Sequence, residues 1–181
     1  MDDMKIYVIR HGQTELNVKG LINGSIPDKL TEMGKEQARL AAKSLPQSIK
    51  HIYSSPLTRA KQTAEILSSD LQLPITYHDE LAEVNFGDLE GGPFLQEHQE
   101  RHVNLDYDWR PSGESFEQVK TRVMEVLAFI REKSNDGEAL IVAHGGIVRT
   151  ITFLESGEKR GEISNAGLFE FNLDKIMEVN K

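Results

Sequence analysis

Two histidines in this 181-residue sequence follow short apolar runs and precede glycine. Ile6-Tyr7-Val8-Ile9 leads into Arg10-His11-Gly12, and Leu140-Ile141-Val142-Ala143 leads into His144-Gly145-Gly146. A third stretch, Tyr53-Ser54-Ser55-Pro56-Leu57-Thr58-Arg59, follows the same plan with an arginine. Glycine lets backbone approach a ligand closely, so Gly145 is a candidate substrate contact, and a helix opening on Gly145-Gly146 would offer free N–H groups to an anion. Arginine presents a planar fork of donors suited to phosphate oxygens and stays charged at any working pH. Arg10, Arg59, His11 and His144 together would line a compact positive pocket for a phosphoryl group, provided the three strand ends meet. Each has a plainer reading on its own: a structural histidine, a solvated arginine, glycines that permit tight packing. Their joint occurrence favours chemistry.

The elements that would bring them together are legible in outline. Lys5 to Ile9 reads as a buried strand. Ser25 to Leu30 reads as loop, and Thr31 as the N-cap of a helix over Glu32 to Ser44, stopped by Pro46. His51 to Ser54 is a short strand, after which Ser55 is placed to cap a helix with Pro56 at its first position. Leu73 to His78 reads as another strand. Residues 92–110 read as a short insertion with one short helix. Ser115 and Gln118 match a capping box at the start of a helix whose apolar side carries Phe116, Val119, Val123, Val126, Leu127 and Ile130. Asp136-Gly137 reads as the turn into Ala139 to Ala143, a continuous apolar run typical of a central strand. A helix over Gly145 to Leu154 and a last strand over Leu168 to Leu173 complete the order. Strands alternating with helices predict an α/β three-layer sandwich with a mostly parallel sheet, formed by the whole chain, 1–181, as one domain.

Composition sets the outer limits. With 29 acidic and 21 basic residues the formal net charge is -8, and no basic stripe marks a nucleic-acid surface. There is no cysteine, which excludes disulfides, thiolate metal sites and a cysteine nucleophile. The apolar run Ile6 to Ile9 is too short for a signal-peptide core or a membrane span. The expectation is a cytoplasmic protein with neither nucleic acid nor membrane as partner.

Assembled in order, these residues resemble the histidine phosphatase superfamily, which includes the phosphoglycerate mutases. The likeness runs from about Lys5 to Leu173. It is carried by Arg10-His11-Gly12-Gln13-Thr14 with Asn17, Leu30-Thr31 with Gly34 and Gln37-Ala38, and Ser54-Ser55-Pro56-Leu57 with Arg59-Ala60 and Gln62-Thr63-Ala64. Leu81-Ala82-Glu83 with Phe86-Gly87 and Glu90-Gly91, then Val142-Ala143-His144-Gly145-Gly146, complete it. The resemblance implies a phosphoglycerate mutase-like fold, with His11 as nucleophile, Arg10 and Arg59 as phosphate-pocket arginines, and His144 as the second histidine. It also implies Asn17 as a further pocket contact, Glu83 as proton donor, and Asn23 and Gly24 as a substrate-facing pair. Gln13 stands where the family often has glutamate. Between Gly92 and Trp109 the chain lacks the paired arginines with which the mutases grip a carboxylate. Trp109-Arg110-Pro111-Ser112-Gly113-Glu114-Ser115 instead looks like the Pro-x-Gly-Glu-Ser segment of the phosphatase branches.

The expected reaction is hydrolysis of a small phosphorylated metabolite, without metal or other cofactor, by two in-line transfers through His11. Nearby Arg10 and Arg59 would keep the imidazole uncharged, and a backbone carbonyl would fix its second nitrogen. Phosphoglycerate mutase-type transfer and a non-catalytic phospho-ligand module are the alternatives. Remaining residues have blander expectations. Arg149 reads as core packing. Phe94 and Trp109 either line the mouth or close the insertion over the core. His98 and His102, four apart, read as a polar helix face rather than a metal pair.

Overall fold

A computed structural model describes residues 3–134 and 137–181. In chain order its elements are β1 (Lys5–Arg10), α1 (Glu15–Val18), α2 (Glu32–Ala42), β2 (Ile49–Ser54), α3 (Thr58–Leu71), β3 (Ile75–Tyr77), α4 (Gln96–Asn104), α5 (Phe116–Lys133), β4 (Glu138–Ala143), α6 (Gly145–Ser156), β5 (Leu168–Asn172) and α7 (Leu173–Val179). The turn expected at Asp136-Gly137 lies outside the described residues at Asp136.

The strands form one five-stranded sheet in the order β3-β2-β4-β1-β5. β1, β2, β3 and β4 run parallel, and β5 closes the edge antiparallel to β1. Alternation along the strands divides two cores. Ile6, Val8, Ala139 and Ile141 face a cluster that includes Val119, Val123 and Leu127 of α5, Ile147 and Ile151 of α6, and Ile176 of α7. Tyr7, Ile9, Leu140 and Val142 face the other way, with Ala60, Ala64 and Leu67 of α3 and Ala42 of α2. Both faces are covered, which is why the central runs are apolar at every position. The expected three-layer α/β sandwich is the observed one.

Local signals account for most boundaries. Thr31 caps α2 by accepting from the Gly34 N–H, and Ser115 and Gln118 form the capping box of α5. The expected start of α3 is corrected. It begins at Thr58, not Pro56, with Leu57 as a cap that makes no side-chain bond. Ser55 is turned to another use, accepting from the Leu57 N–H and meeting a buried histidine. Helix α2 also ends two residues earlier than expected.

The 92–110 segment carries α4 and then dives into the core with Leu105, Tyr107 and Trp109, each buried. The rings of Tyr107 and Trp109 stack with centroids 5.7 Å apart. The polar-face expectation for α4 is wrong at one residue: His102 is only 3% exposed, the single buried side chain of that helix. Among the described residues no helix is long and apolar enough to cross a membrane.

Candidate active site

Strand order explains why distant motifs converge. β4 lies between β1 and β2, and Arg10 is paired with Ala143 while Ser54 is paired with Val142. His11, His144 and Ser55 therefore leave three neighbouring strands at the same end of the sheet. α3 and α6 start there as well, with Arg59 in the first turn of α3.

The tautomer of His11 follows from its contacts. Its Nδ1 lies 2.7 Å from the carbonyl oxygen of Gly12. A carbonyl only accepts, so Nδ1 carries the proton and Nε2 keeps its lone pair. Arg59 Nε donates to that Nε2 at 3.2 Å, which requires the same tautomer. Burial pushes His11 well below the ordinary imidazole range; Arg59 and then Arg10 add to the effect, against the Gly12 carbonyl. Backbone holds the residue from both sides, since the His11 N–H donates to Ala143 and its carbonyl accepts from Ala166. Gly12 is obligatory here, because a Cβ would stand 2.3 Å from the carbonyl oxygen of Gly34.

His144 is fully buried beside it, with ring centroids 5.2 Å apart. Its Nε2 meets Ser55 Oγ at 2.8 Å, and its Nδ1 is buried without a partner among the described residues. Burial and the neighbouring charges, Arg59 first, push it well down as well.

The arginines are fixed by backbone carbonyls rather than carboxylates. Arg59, completely buried, donates to the carbonyls of Gly24 at 2.7 Å and Ile26 at 3.2 Å. Burial lowers its pKa to about 10, which still leaves a cation at neutral pH. Arg10 donates from Nη1 to the Ile163 carbonyl, and its Nε is buried without a partner among the described residues. Arg149, expected in core packing, donates instead to the carbonyls of Arg160 and Gly161 and lines the pocket. Among the described residues none of these three forms an ion pair. A buried cation without a counter-ion is costly unless an anion joins it.

Glu83 comes to the same pocket from the loop after β3. Its Oε1 accepts from the N–H of Val84 at 2.9 Å and of Gly146 at 3.2 Å. The first turn of α6 thus holds a carboxylate, as a helix N-terminus favours. Gly146 is the second place where a side chain is excluded: a Cβ would lie 2.4 Å from Glu83 Oε1. Arg122 of α5 clamps the loop, donating to the carbonyls of Glu80, Ala82 and Glu83 while its Nε and Nη2 hold both oxygens of Glu114. That pair gives the glutamate of the Pro-x-Gly-Glu-Ser segment its place.

A pocket of about 600 Å³ opens above His11, and His144 lies behind it rather than in its lining. Arg10, His11, Arg59, Glu83 and Gly145 line it, as do Asn17, Asn23 and Gly24. Asn17 Nδ2 donates to Asn23 Oδ1 at 3.3 Å, and Asn23 donates to Thr14 and Asp28. Gly24 reaches the site chiefly through the carbonyl that holds Arg59. Phe94 lines the pocket, whereas Trp109 packs behind Phe86. His98 and His102 gather no third ligand among the described residues. Sequence reasoning missed Asn165, whose amide donates to the His11 carbonyl and to Asn17, and Thr63, whose Oγ1 accepts from the Gly12 N–H. Neither sits where periodicity singles it out as functional; Thr63 lies within the Gln62-Thr63-Ala64 string that carries the family resemblance.

A histidine whose unprotonated nitrogen accepts from one carbonyl-anchored arginine, beside a second arginine at parallel strand ends and a carboxylate, defines a phosphoryl-handling α/β enzyme. The chain belongs to the histidine phosphatase superfamily (branch 1), whose family model matches residues 6–174. It is 35% identical over 153 residues to the adenosylcobalamin/alpha-ribazole phosphatase of Escherichia coli, covering 80% of this chain and 75% of that protein. It is 30% identical over 162 residues to phosphoglycerate mutase-like protein 4 of Arabidopsis thaliana, covering 83% and 70%. A phosphoglycerate mutase from Thermus thermophilus superposes with a TM-score of 0.77 at 28% identity, covering 92% of each chain.

Proposed function

We propose that this chain hydrolyses phosphomonoesters of small metabolites through a phosphohistidine on His11, without metal, in the cytoplasm. The observation that carries the reading is His11 Nε2, a lone pair fixed toward the pocket by the Gly12 carbonyl on the opposite nitrogen. Nε2 attacks phosphorus in line; the N–P bond forms as the ester P–O bond breaks. Glu83, protonated in this step, gives its proton to the departing alkoxide oxygen. Water then attacks phosphorus from the vacated side, the N–P bond breaks, and Glu83 recovers a proton from that water. Neutral His11 and inorganic phosphate result.

Arg10, Arg59 and His144 stabilise the equatorial oxygens, the largest contribution in reactions of this type. Arg59 Nε transfers its hydrogen bond from Nε2 to a phosphoryl oxygen when the ester enters. Asn17, Asn23, Gly24 and Gly145 surround the substrate.

Hydrolysis is favoured over phosphoglycerate mutase-type transfer by the state of the arginines in 92–110. Arg110 is paired with Asp108, and Arg101 donates to the Asp106 carbonyl and lies over the Trp109 ring. Neither lines the pocket. A screen of phosphorylated metabolites in the presence of a chelator tests the reading, with His11→Ala as control. Release of phosphate that disappears in the control is the expected result. Activity that survives His11→Ala removes the nucleophile; phosphate exchange between positions without release establishes the mutase; binding without turnover establishes a phospho-ligand module.

A further inference from the structure

We propose that His102 is a specificity-determining contact for the leaving group, selecting phosphomonoesters whose alcohol carries a hydroxyl close to the ester oxygen. The inference rests on the reading of the pocket as a phosphomonoesterase site. In-line attack by His11 puts the leaving oxygen on the far side of phosphorus, beside the acid. His102 stands at that end. Glu83 Oε1 and His102 Cε1 lie 2.4 and 3.1 Å from the point a Gly146 Cβ would occupy, and both residues line the pocket.

The environment of His102 is one that a phenylalanine would fill. Its ring lies 5.2 Å from that of Phe86, 5.4 Å from Tyr107 and 6.0 Å from Phe94. Among the described residues the ring makes no hydrogen bond: Nδ1 is sealed from solvent without one, and Nε2 is the ring nitrogen left open where His102 lines the pocket. An unsatisfied imidazole in an aromatic wall lowers stability and adds nothing to packing. A ligand in the pocket gives Nε2 the partner that the protein does not. Burial, with Arg149 and Arg10 adding, pushes its pKa down to about 3, so the ring enters the reaction neutral, with one donor and one acceptor. A hydroxyl has the same pair of capacities and matches either tautomer; an alkyl chain matches neither.

Glycerol 3-phosphate and n-propyl phosphate differ in hydroxyls and little in size. The ratio of their kcat/KM values is measured for the wild type, His102→Phe and His102→Gln. The wild type prefers the glycerol ester, His102→Phe lowers the ratio about tenfold, and His102→Gln recovers part of it. An identical ratio in all three proteins overturns the proposal. So does an equal loss on both esters with a displaced pH profile, which would place His102 behind Glu83 rather than on the substrate. Calorimetric binding of the two esters to His11→Ala, with and without His102→Phe, separates this from failure of the catalytic reading. A preference for glycerol phosphate that His102→Phe abolishes supports the contact even where no turnover is found; absence of any preference removes it.

Discussion

On the floor of the pocket, polar groups are aimed by backbone: His11 by the Gly12 carbonyl, Arg59 by Gly24 and Ile26, Arg10 by Ile163. On the wall formed by residues 98–109, side chains are held by one another, in a chain of rings running through Phe86, Phe94, His102, Tyr107 and Trp109. Both regions contain buried polar atoms without partners. Those on the floor, Arg10 Nε and His144 Nδ1, belong to groups clustered around His11 Nε2. Those on the wall, His98 Nδ1, His102 Nδ1, Tyr107 Oη and Trp109 Nε1, are dispersed over one segment. Gly12 follows the end of β1 and the Gly24, Ile26 and Ile163 carbonyls are each tied to a buried or half-buried arginine, so the floor can hold reacting atoms in line. Aromatic packing adapts more readily, so the wall is where one member of the fold can differ from another in what it accepts.

The contrast predicts steep losses on the floor and shallow ones on the wall. His11→Ala should lower kcat by about a thousandfold or more in single-turnover assays. Glu83→Gln should cost roughly a hundredfold to ten-thousandfold on alkyl phosphates and much less on p-nitrophenyl phosphate, whose leaving group needs no proton. Equal losses on the two esters would take Glu83 out of the role of acid. Gly146→Ala drives a Cβ into the Glu83 carboxylate, and displacement of the acid should cost on the order of a hundredfold in kcat with KM nearly unchanged. At the wall, Trp109→Phe keeps the stacking surface and removes an unpartnered N–H, so kcat/KM should stay within about threefold and the urea midpoint should hold or rise.

The smallest effect is on stability against pH. Burial holds the folded pKa values of His11, His102 and His144 below the unfolded value of about 6.5. The unfolded chain therefore binds more protons below that pH, and stability falls as pH drops from 6.5 toward the folded values. Each such histidine contributes a slope of up to about 1.4 kcal/mol per pH unit. For His102 the window extends down to about pH 3. Urea unfolding between about pH 4 and 7 should give a shallower slope for His102→Phe than for the wild type.

How much of this the sequence carried depends on the range over which each feature is determined. His11, Arg59 and His144 were legible because strand, glycine and helix start lie within a few residues of each, and parallel strands bring such ends to one edge. The capping box at Ser115 and Gln118 was local in the same way. Ser55 misled because a serine before proline reads as a cap, while its hydroxyl is engaged by His144, 89 positions away in the chain. Arg149 reads as core packing and Arg122 carries no signal at all, since the carbonyls they hold belong to loops with no periodic pattern. His102 reads as part of a polar face because α4 is polar at every position but Val103, and only the packing of Phe86 and Tyr107 shows that His102 is buried. Short-range grammar picked out residues that gather at one end of the sheet; side chains whose partners lie far along the chain required the structure.

The phosphoenzyme tests the central claim most directly. Wild-type protein mixed with a hydrolysed ester, quenched in alkali during turnover and mapped by mass spectrometry of its peptides should carry a phosphoramidate on His11. Sustained turnover with no phosphate on His11, or with the label on another residue, would contradict the account.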